Sequence, residues 1–247
     1  MTHGKKNVIV TSISNNQWHS ATVVRIVEET QNVKTYSFKL PYATNHIAGQ
    51  HYELRLTAEN GYQAARPYSA ASTAQNMPLL ELTIQYVPDG EVSSYVNETL
   101  NVGDTVEIRG PFGKFFVWDS SITEPVLLIA GGSGVVPMRS VLESHTVSQT
   151  TSKMHLVYSA RTYENIIYKD ELLDSSDTTI TLTQDSPEDW KGATGRIDIS
   201  LLKQVLDAYE TPPLCYVCGM SSFVGAVSDV LQALDIPIDK IKTERFG

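Results

Sequence analysis

The stretch that decides the fold of this chain is Pro125-Val126-Leu127-Leu128-Ile129-Ala130-Gly131-Gly132-Ser133-Gly134-Val135-Val136-Pro137. The apolar run 125–130 predicts a buried strand, and the glycines after it predict a tight turn into a helix. Backbone N–H groups at a helix start are free to bind an anion, and the helix dipole favours negative charge there. The spacing Gly-x-Gly-x-x-Pro is related to the dinucleotide fingerprint Gly-x-Gly-x-x-Gly, so we expect a pyrophosphate here, with a plain connection as the alternative.

Two patterns of secondary structure follow one another along the chain. Before residue 118 the sequence shows short β-type runs separated by turn residues, at 21–28, 33–40, 51–57, 80–86 and 105–109. After residue 120 apolar strands alternate with helical stretches, the strands at 155–160, 179–183 and 214–217 and the helices from 137 and near 168–173, 199–209 and 223–234. Frequent short strands are typical of an antiparallel β-barrel or sandwich, and strand–helix alternation is typical of a doubly wound parallel sheet. We predict a mobile leader over residues 1–17, a barrel over 18–119 and an α/β domain over 120–247.

Composition excludes several functional classes. The chain has 247 residues, 41% of them hydrophobic, and a formal net charge of −9. An acidic chain is a poor general binder of nucleic acid, because phosphate is neutralised by clustered Lys and Arg. No secretory signal and no apolar stretch of about 20 residues is visible, so we expect a cytoplasmic protein without a membrane span.

The two cysteines, Cys215 and Cys218, do not predict a redox or metal centre. They lie in an apolar run that reads as a strand, where residues three apart point to opposite faces. A disulfide between them is therefore disfavoured. Two cysteines without histidines at ligand spacing cannot complete a zinc or iron–sulfur site, so we predict no metal.

The barrel half carries the segment Arg66-Pro67-Tyr68-Ser69. It supplies a cation, a rigid residue, an aromatic ring and a hydroxyl within one strand. Arg66 can pair with a phosphate, Tyr68 can lie against a flat ring and Ser69 can hydrogen-bond a ring nitrogen. The alternative is a solvated arginine next to a core tyrosine.

Two further barrel segments contain glycine. Gly90-Glu91-Val92-Ser93 leads into a helix predicted over 94–100, and its N–H groups with the Ser93 hydroxyl are suited to hold a second phosphate. A plain solvated turn is the alternative. Gly110-Pro111-Phe112-Gly113 predicts a turn that closes the barrel.

Taken together and in chain order, from Arg66–Ser69 to the glycine turn and Cys218-Gly219, these motifs resemble the ferredoxin–NADP reductase family over about residues 18–247. The resemblance implies an FAD-binding barrel followed by a nicotinamide-dinucleotide domain, with hydride passing from the nicotinamide to the flavin in the cleft between them. It implies that Arg66 holds the FAD pyrophosphate, that Tyr68 faces the isoalloxazine and that Ser69 lies near flavin N5. It places Cys218 beside the nicotinamide.

The same resemblance implies roles for two residues near the end of the chain, Glu244 and Phe246. A terminal aromatic, here Phe246, covers the flavin face that nicotinamide must use, and Glu244 takes part in proton handling, although Gly247 extends past the usual end. A frayed terminus is the alternative. The implied catalytic residues are Ser69, Cys218 and Glu244. The implied cofactor-binding residues are Arg66, Pro67, Tyr68, Ser69, Gly90, Glu91, Val92, Ser93, Phe246, Gly132, Ser133, Gly134, Pro137, Arg161, Cys218, Gly219 and Met220.

The identity of the nicotinamide depends on the residues after two strands. Arg161 follows the strand at 155–160 and favours the 2′-phosphate of NADPH, whereas Gln184 and Asp185 favour NADH. We expect NADPH by a narrow margin. The alternative for Arg161 is a surface salt bridge to Glu164 or Asp170.

The electron acceptor is expected to be a separate protein. Longer relatives append a ferredoxin or haem domain, whereas this chain has neither the length nor the cysteines for one. We therefore expect electrons to pass to a ferredoxin, an oxygenase component or another redox enzyme. Two alternatives stay open: a reductase of a small molecule such as free flavin or a quinone, and a non-catalytic flavin-binding electron-transfer subunit.

Overall fold

The computed structural model describes residues 14–73 and 78–246, which form two six-stranded sheets. The first sheet comprises β1 (His19–Thr30), β2 (Val33–Lys39), β3 (His51–Thr57), β4 (Gln63–Ser69), β5 (Leu79–Gln85) and β6 (Thr105–Phe112), with α1 (Glu91–Thr99) between β5 and β6. Its neighbouring strands run antiparallel in the order β4-β3-β6-β1-β2-β5.

The two outer strands of this sheet meet and close it into a barrel. Ala70, directly after β4, forms a β-bridge with Leu82 on β5, and the Ala71 N–H donates to the Glu81 carbonyl at 2.9 Å. Alternating side chains on the strands, among them Phe38 of β2, fill the interior. The predicted antiparallel barrel is confirmed.

The second sheet is parallel throughout. It comprises β7 (Val126–Gly131), β8 (Met154–Ala160), β9 (Thr178–Leu182), β10 (Ala193–Thr194), β11 (Leu214–Met220) and β12 (Ile241–Phe246), in the order β10-β9-β8-β7-β11-β12. The helices are α2 (Val135–Val147), α3 (Lys169–Leu173), α4 (Ile199–Leu206) and α5 (Ser221–Ala233). Apolar residues of α2 and α3 cover one face and those of α4 and α5 cover the other, so the doubly wound fold is confirmed.

Two local predictions were wrong. Gly110-Pro111-Phe112 does not form a turn, because β6 continues to Phe112, which pairs with His51 on β3. The helix predicted from residue 94 begins earlier, at Glu91. The chain's last segment forms β12 beside β11, a strand that the sequence pattern did not indicate.

The predicted domain limits and leader remain predictions. The first sheet ends with Phe112 and the second begins with Val126. Residues 1–13 of the leader lie outside the described residues, and within the remainder the Asn15 side chain donates to the Pro111 carbonyl at 2.9 Å. None of the helices in the described ranges has the length and apolar character needed to cross a bilayer.

The barrel and the parallel sheet pack directly against each other. One buried apolar cluster contains Ala71, Phe116 and Trp118 from the barrel side together with residues of β7, β8, β11 and α2. The Tyr216 hydroxyl on β11 donates to the Val117 carbonyl at 2.7 Å. Glu244, in the carboxyl-terminal half of β12, lies within hydrogen-bond distance of Ser69, so the carboxyl ends of the parallel strands face β4.

Candidate active site

The glycine turn Gly132–Gly134 connects β7 to α2, and two of its three residues have no side chain. Gly132–Gly134 forms one 3₁₀ turn, and Gly132 has φ +55°, a left-handed value that glycine adopts without strain. A Cβ on Gly134 would collide with the Cys218 carbonyl of β11. No side chain caps the start of α2, so its first N–H groups fit an anionic pyrophosphate. Pro137 lies in the first turn of α2, where a missing N–H removes no helical hydrogen bond.

The end of β11 lies beside this turn. Cys218 pairs with Ala130 of β7, and Gly219 lies against Gly131, both glycines packing under the Phe223 ring. Met220 follows at the start of α5 and is 61% exposed. The sequence-predicted Gly132-Ser133-Gly134 and Cys218-Gly219-Met220 thus converge at one edge of the sheet.

The two cysteines occupy opposite faces of β11. Cys215 belongs to the cluster under α4 and α5, whereas Cys218 belongs to the cluster facing the barrel. Burial raises the pKa of the Cys218 thiol, and the Glu244 carboxylate raises it further, so this thiol is neutral at physiological pH. Within the described ranges no group of His, Cys, Asp and Glu side chains is arranged as a metal site.

The last four residues of β4 are the candidate cofactor-binding residues of the barrel. Arg66 and Pro67 are exposed, Tyr68 is half-buried against the barrel core, and Ser69 is buried. Arg66 lies 3.5 Å from a carboxylate oxygen of Glu91, the first residue of α1. The motif therefore places its cation at the helix start and its hydroxyl towards the second domain.

The start of α1 completes a second anion-binding arrangement. Gly90 is the N-cap residue with no side-chain cap, and a Cβ there would collide with the Ser93 hydroxyl. That hydroxyl accepts the Val87 N–H at 3.3 Å, so the loop already uses it as an acceptor. The Arg66 guanidinium and the N–H groups of Glu91 and Val92 fit one pyrophosphate between them.

A hydrogen bond joins the barrel to the last strand. The Ser69 hydroxyl donates to the Glu244 carboxyl at 3.4 Å, and Glu244 is the register partner of Cys218. Burial raises the pKa of Glu244 to about 7, with the Ser69 hydrogen bond acting in the opposite direction. Three side chains from β4, β11 and β12 thus meet, and one of them titrates near neutral pH.

The remaining predicted residues lie on the rim. Phe246 pairs with Met220 and is half-buried against the interdomain cluster, while Gly247 lies outside the described residues. Arg161 is exposed at the end of β8, and its carbonyl accepts the Gln184 N–H at 2.9 Å. Within the described parts of the chain, the guanidinium of Arg161 takes part in no ion pair.

Two further side chains lie at the barrel site without any signal in the local sequence. His51 of β3 lies opposite Ser69, and burial lowers the pKa of its imidazole. The Tyr62 hydroxyl donates to Glu91 at 2.7 Å, which orients the carboxylate beside Arg66. Both contacts depend on strand pairing or on α1 packing, and no local motif indicates either.

Family models match both halves of the chain. The model for an oxidoreductase FAD-binding domain matches residues 20–117, and the model for an oxidoreductase NAD-binding domain matches residues 128–229. The chain belongs to the ferredoxin reductase-like family. It is an FAD-dependent NAD(P)H oxidoreductase, and the match confirms FAD and a nicotinamide dinucleotide, the two cofactors that the resemblance implied.

Several proteins resemble this reductase over most of their length. The glycine betaine monooxygenase reductase subunit of Chromohalobacter salexigens is 28% identical over 257 aligned positions, covering 100% of this chain and 69% of that protein. NADH-cytochrome b5 reductase 1 of Aspergillus fumigatus is 26% identical over 239 positions, covering 89% and 77%. Among solved structures, the FAD/NAD-binding domain of Vibrio cholerae nitric oxide dioxygenase has a TM-score of 0.80 at 22% identity, covering 93% of this chain and 98% of that one. The Neisseria gonorrhoeae ferredoxin NADP⁺ reductase has a TM-score of 0.78 at 22% identity, covering 92% and 98%.

Proposed function

We propose that this reductase takes a hydride from NADPH, or less efficiently from NADH, and passes the electrons to a separate redox protein such as a ferredoxin or oxygenase component. The observation that carries the proposal is the Ser69–Glu244 hydrogen bond, with Cys218 beside it, at the junction of the two domains. The names of the similar proteins, a monooxygenase reductase subunit and a cytochrome b5 reductase, support a protein acceptor.

Each predicted residue has a physical task in this scheme. Arg66 and the start of α1 hold the FAD pyrophosphate, and Tyr68 covers the flavin ring. The dinucleotide backbone would be held by Gly132–Gly134, Pro137 and the end of β11. Phe246, half-buried at the interdomain cluster, would shield the flavin from solvent. When bound, FAD supplies the hydride acceptor that the protein's own side chains lack. Ser69 and Glu244 hold a proton at their shared hydrogen bond, and the neutral Cys218 excludes water beside them.

An anaerobic titration tests the proposal. The purified protein, reconstituted with FAD, should lose its yellow colour with NADPH and regain it when an oxidised plant-type ferredoxin is added. Cytochrome b5, free FMN and a soluble quinone serve as competing acceptors. A flavin that neither nicotinamide bleaches contradicts the proposed function, and reoxidation faster with FMN or the quinone than with either protein favours a small-molecule substrate.

The choice of nicotinamide is tested at Arg161. The exposed guanidinium at the end of β8 can pair with a 2′-phosphate, so Arg161→Ala should weaken NADPH binding by about tenfold and leave NADH binding nearly unchanged. Arg25→Ala, which removes an exposed arginine from the barrel, is the control. Unchanged NADPH affinity would refute the preference. The cytoplasmic location remains a prediction, to be checked by cell fractionation.

A further inference from the structure

Two side chains of the second domain reach into the barrel at the domain interface. We call Arg139, Tyr168 and their barrel partners Ala71, Glu81 and Thr83 the interdomain latch. Tyr168 is 5% exposed, and its hydroxyl hydrogen-bonds the Thr83 hydroxyl of β5 at 2.5 Å. Its backbone has φ +57°, a left-handed value that a bulky side chain rarely adopts. The surrounding contacts therefore hold the backbone of this residue in a conformation that it rarely adopts.

The hydroxyl of Tyr168 ends a buried chain of polar groups. Thr83 also hydrogen-bonds Thr35 of β2 at 2.8 Å, and Thr35 donates to Glu29 at 2.7 Å. Because the Thr35 proton goes to Glu29, Thr83 donates to Thr35 and Tyr168 donates to Thr83, so removing the Tyr168 hydroxyl takes away the donor to Thr83.

Arg139 forms the other half of the latch. Its guanidinium stacks on the Tyr168 ring at 4.8 Å, and it donates to the Ala71 carbonyl at 2.9 Å. It also pairs with Glu81 of the barrel at 3.2 Å and with Glu171 of the second domain at 2.8 Å. Two carboxylates neutralise the half-buried cation, and its planar fork spans both domains.

The latch joins the two cofactor-binding segments by a short path. Arg139 lies on α2, whose first turn follows the glycine turn Gly132–Gly134. Its barrel partner Ala71 lies two residues after Ser69. The next residue of α2, Ser140, donates to the Ser72 carbonyl at 3.0 Å. The helix that begins at the dinucleotide seat is thus attached to the backbone just beyond Ser69.

We propose that Arg139 and Tyr168 are positioning residues that fix the nicotinamide seat relative to the flavin seat during hydride transfer. This inference rests on the proposed function. Hydride transfer needs the two rings within a narrow range of distance and angle, and displacements of about 1 Å can cost up to about a hundredfold in rate. In the proposed scheme each pyrophosphate is held within one domain, that of FAD by Arg66 and the start of α1 and that of the dinucleotide by the glycine turn before α2. Loosening the latch therefore affects the reaction between the cofactors rather than the binding of either one.

Two conservative variants of the FAD-loaded protein test this inference. Tyr168→Phe removes only the hydroxyl, and Arg139→Lys keeps the charge but loses the planar fork. Tyr209→Phe is the matched control, because its hydroxyl donates to the Val126 carbonyl within the second domain. Anaerobic stopped-flow mixing with NADPH gives the dissociation constant, the limiting rate of flavin reduction and the long-wavelength charge-transfer absorbance of the stacked rings.

Both latch variants should lower the limiting rate by about tenfold and weaken the charge-transfer band, with bound FAD and NADPH affinity within about twofold of wild type. The control should match wild type, and the double variant should be little slower than the slower single variant, because the residues share one contact. Wild-type rates and absorbance in Tyr168→Phe overturn the inference, even if Arg139→Lys fails to fold. A wild-type flavin that neither nicotinamide reduces overturns the proposed function itself.

Discussion

At the scale of single residues, the hydrogen bond between Ser69 and Glu244 requires the two domains to be in contact. Ser69 belongs to the barrel and Glu244 to β12, so their hydrogen bond forms only when the domains are docked. We expect Ser69→Ala to slow flavin reduction by NADPH by about tenfold or more, because a positioned hydroxyl is lost, while FAD stays bound. Ser148→Ala, at the exposed end of α2, is the control for stopped-flow comparison. A wild-type rate in Ser69→Ala removes this hydroxyl from the reaction.

Glu244 predicts a dependence of stability on pH. Burial raises its pKa from 4.5 to about 7 in the folded protein. Between these values the folded state holds a proton that the unfolded state releases, so the free energy of unfolding falls as pH rises across this range. Urea unfolding at about pH 5 and about pH 8 should show a larger loss for wild type than for Glu244→Gln. Equal losses contradict the assignment.

The Arg66–Glu91 pair predicts opposite effects on FAD binding. Arg66→Ala should weaken FAD binding by about tenfold or more, because a charge-assisted contact to the pyrophosphate is lost. Glu91→Gln should tighten it by a few-fold, because Glu91 competes for Arg66 and repels the same anion. Glu98→Gln, which removes the same charge from the far end of α1, is the control and should bind FAD like wild type. Quenching of FAD fluorescence gives each dissociation constant, and equal values for wild type and Glu91→Gln would disprove the competition.

At the scale of elements, a glycine in the turn before α2 and a glycine within α5 should respond differently to an added methyl group. Gly134→Ala places Cβ against the Cys218 carbonyl, so we expect a loss of about 1–3 kcal/mol in the free energy of unfolding and weaker NAD(P)H binding. Gly225 on α5 has open space at its Cβ position, and Gly225→Ala should add about 0.5–1 kcal/mol by helix propensity. Urea unfolding measures the stability of both variants. A wild-type free energy of unfolding in Gly134→Ala would show that the turn and β11 can move apart without loss of stability.

Most elements were predictable from local sequence patterns, and the exceptions share a cause. The apolar run before Gly131 and the strand–helix alternation after it predict the parallel sheet without any distant contact. Gly110-Pro111-Phe112 looks like a turn in isolation, yet its pairing with His51 makes it part of β6. The segment 241–246 is polar and becomes a strand only because β11 offers it a free edge. Local patterns identify elements that form on their own, whereas pairing partners decide the rest.

At the scale of the whole molecule, one apolar cluster supports both domains. Trp118 is 1% exposed within this cluster. Trp118→Ala should lower the free energy of unfolding by about 3–5 kcal/mol through the cavity it leaves and should separate the unfolding of the two domains. Val102→Ala, at a side chain that is 61% exposed, should change stability by less than about 0.5 kcal/mol. Calorimetry that finds one unshifted transition for Trp118→Ala contradicts this account.

The candidate site shows the same division between local and distant information. The motifs at Arg66–Ser69 and at the glycine turn were predictable because each is a short segment with its own chemistry. The latch was not, because Arg139 and Tyr168 are unremarkable in sequence and become partners of Ala71 and Thr83 only after the domains dock. The sequence predicted that the Glu91 backbone N–H binds a phosphate, whereas the ion pair of its carboxylate with Arg66 is visible only in the structure.

The two buried cysteines lie on opposite faces of β11, so their reactivity can report separation of the domains and unfolding of the second domain independently. A thiol reagent that reacts only with accessible sulfur will label Cys218 when the domains part, and Cys215 only when α4 and α5 leave the sheet. Pulsed labelling followed by peptide mass analysis therefore separates hinge-like parting from unfolding of the second domain, with no introduced probe. Faster labelling of Cys218 alone in Tyr168→Phe would measure how often the latch releases.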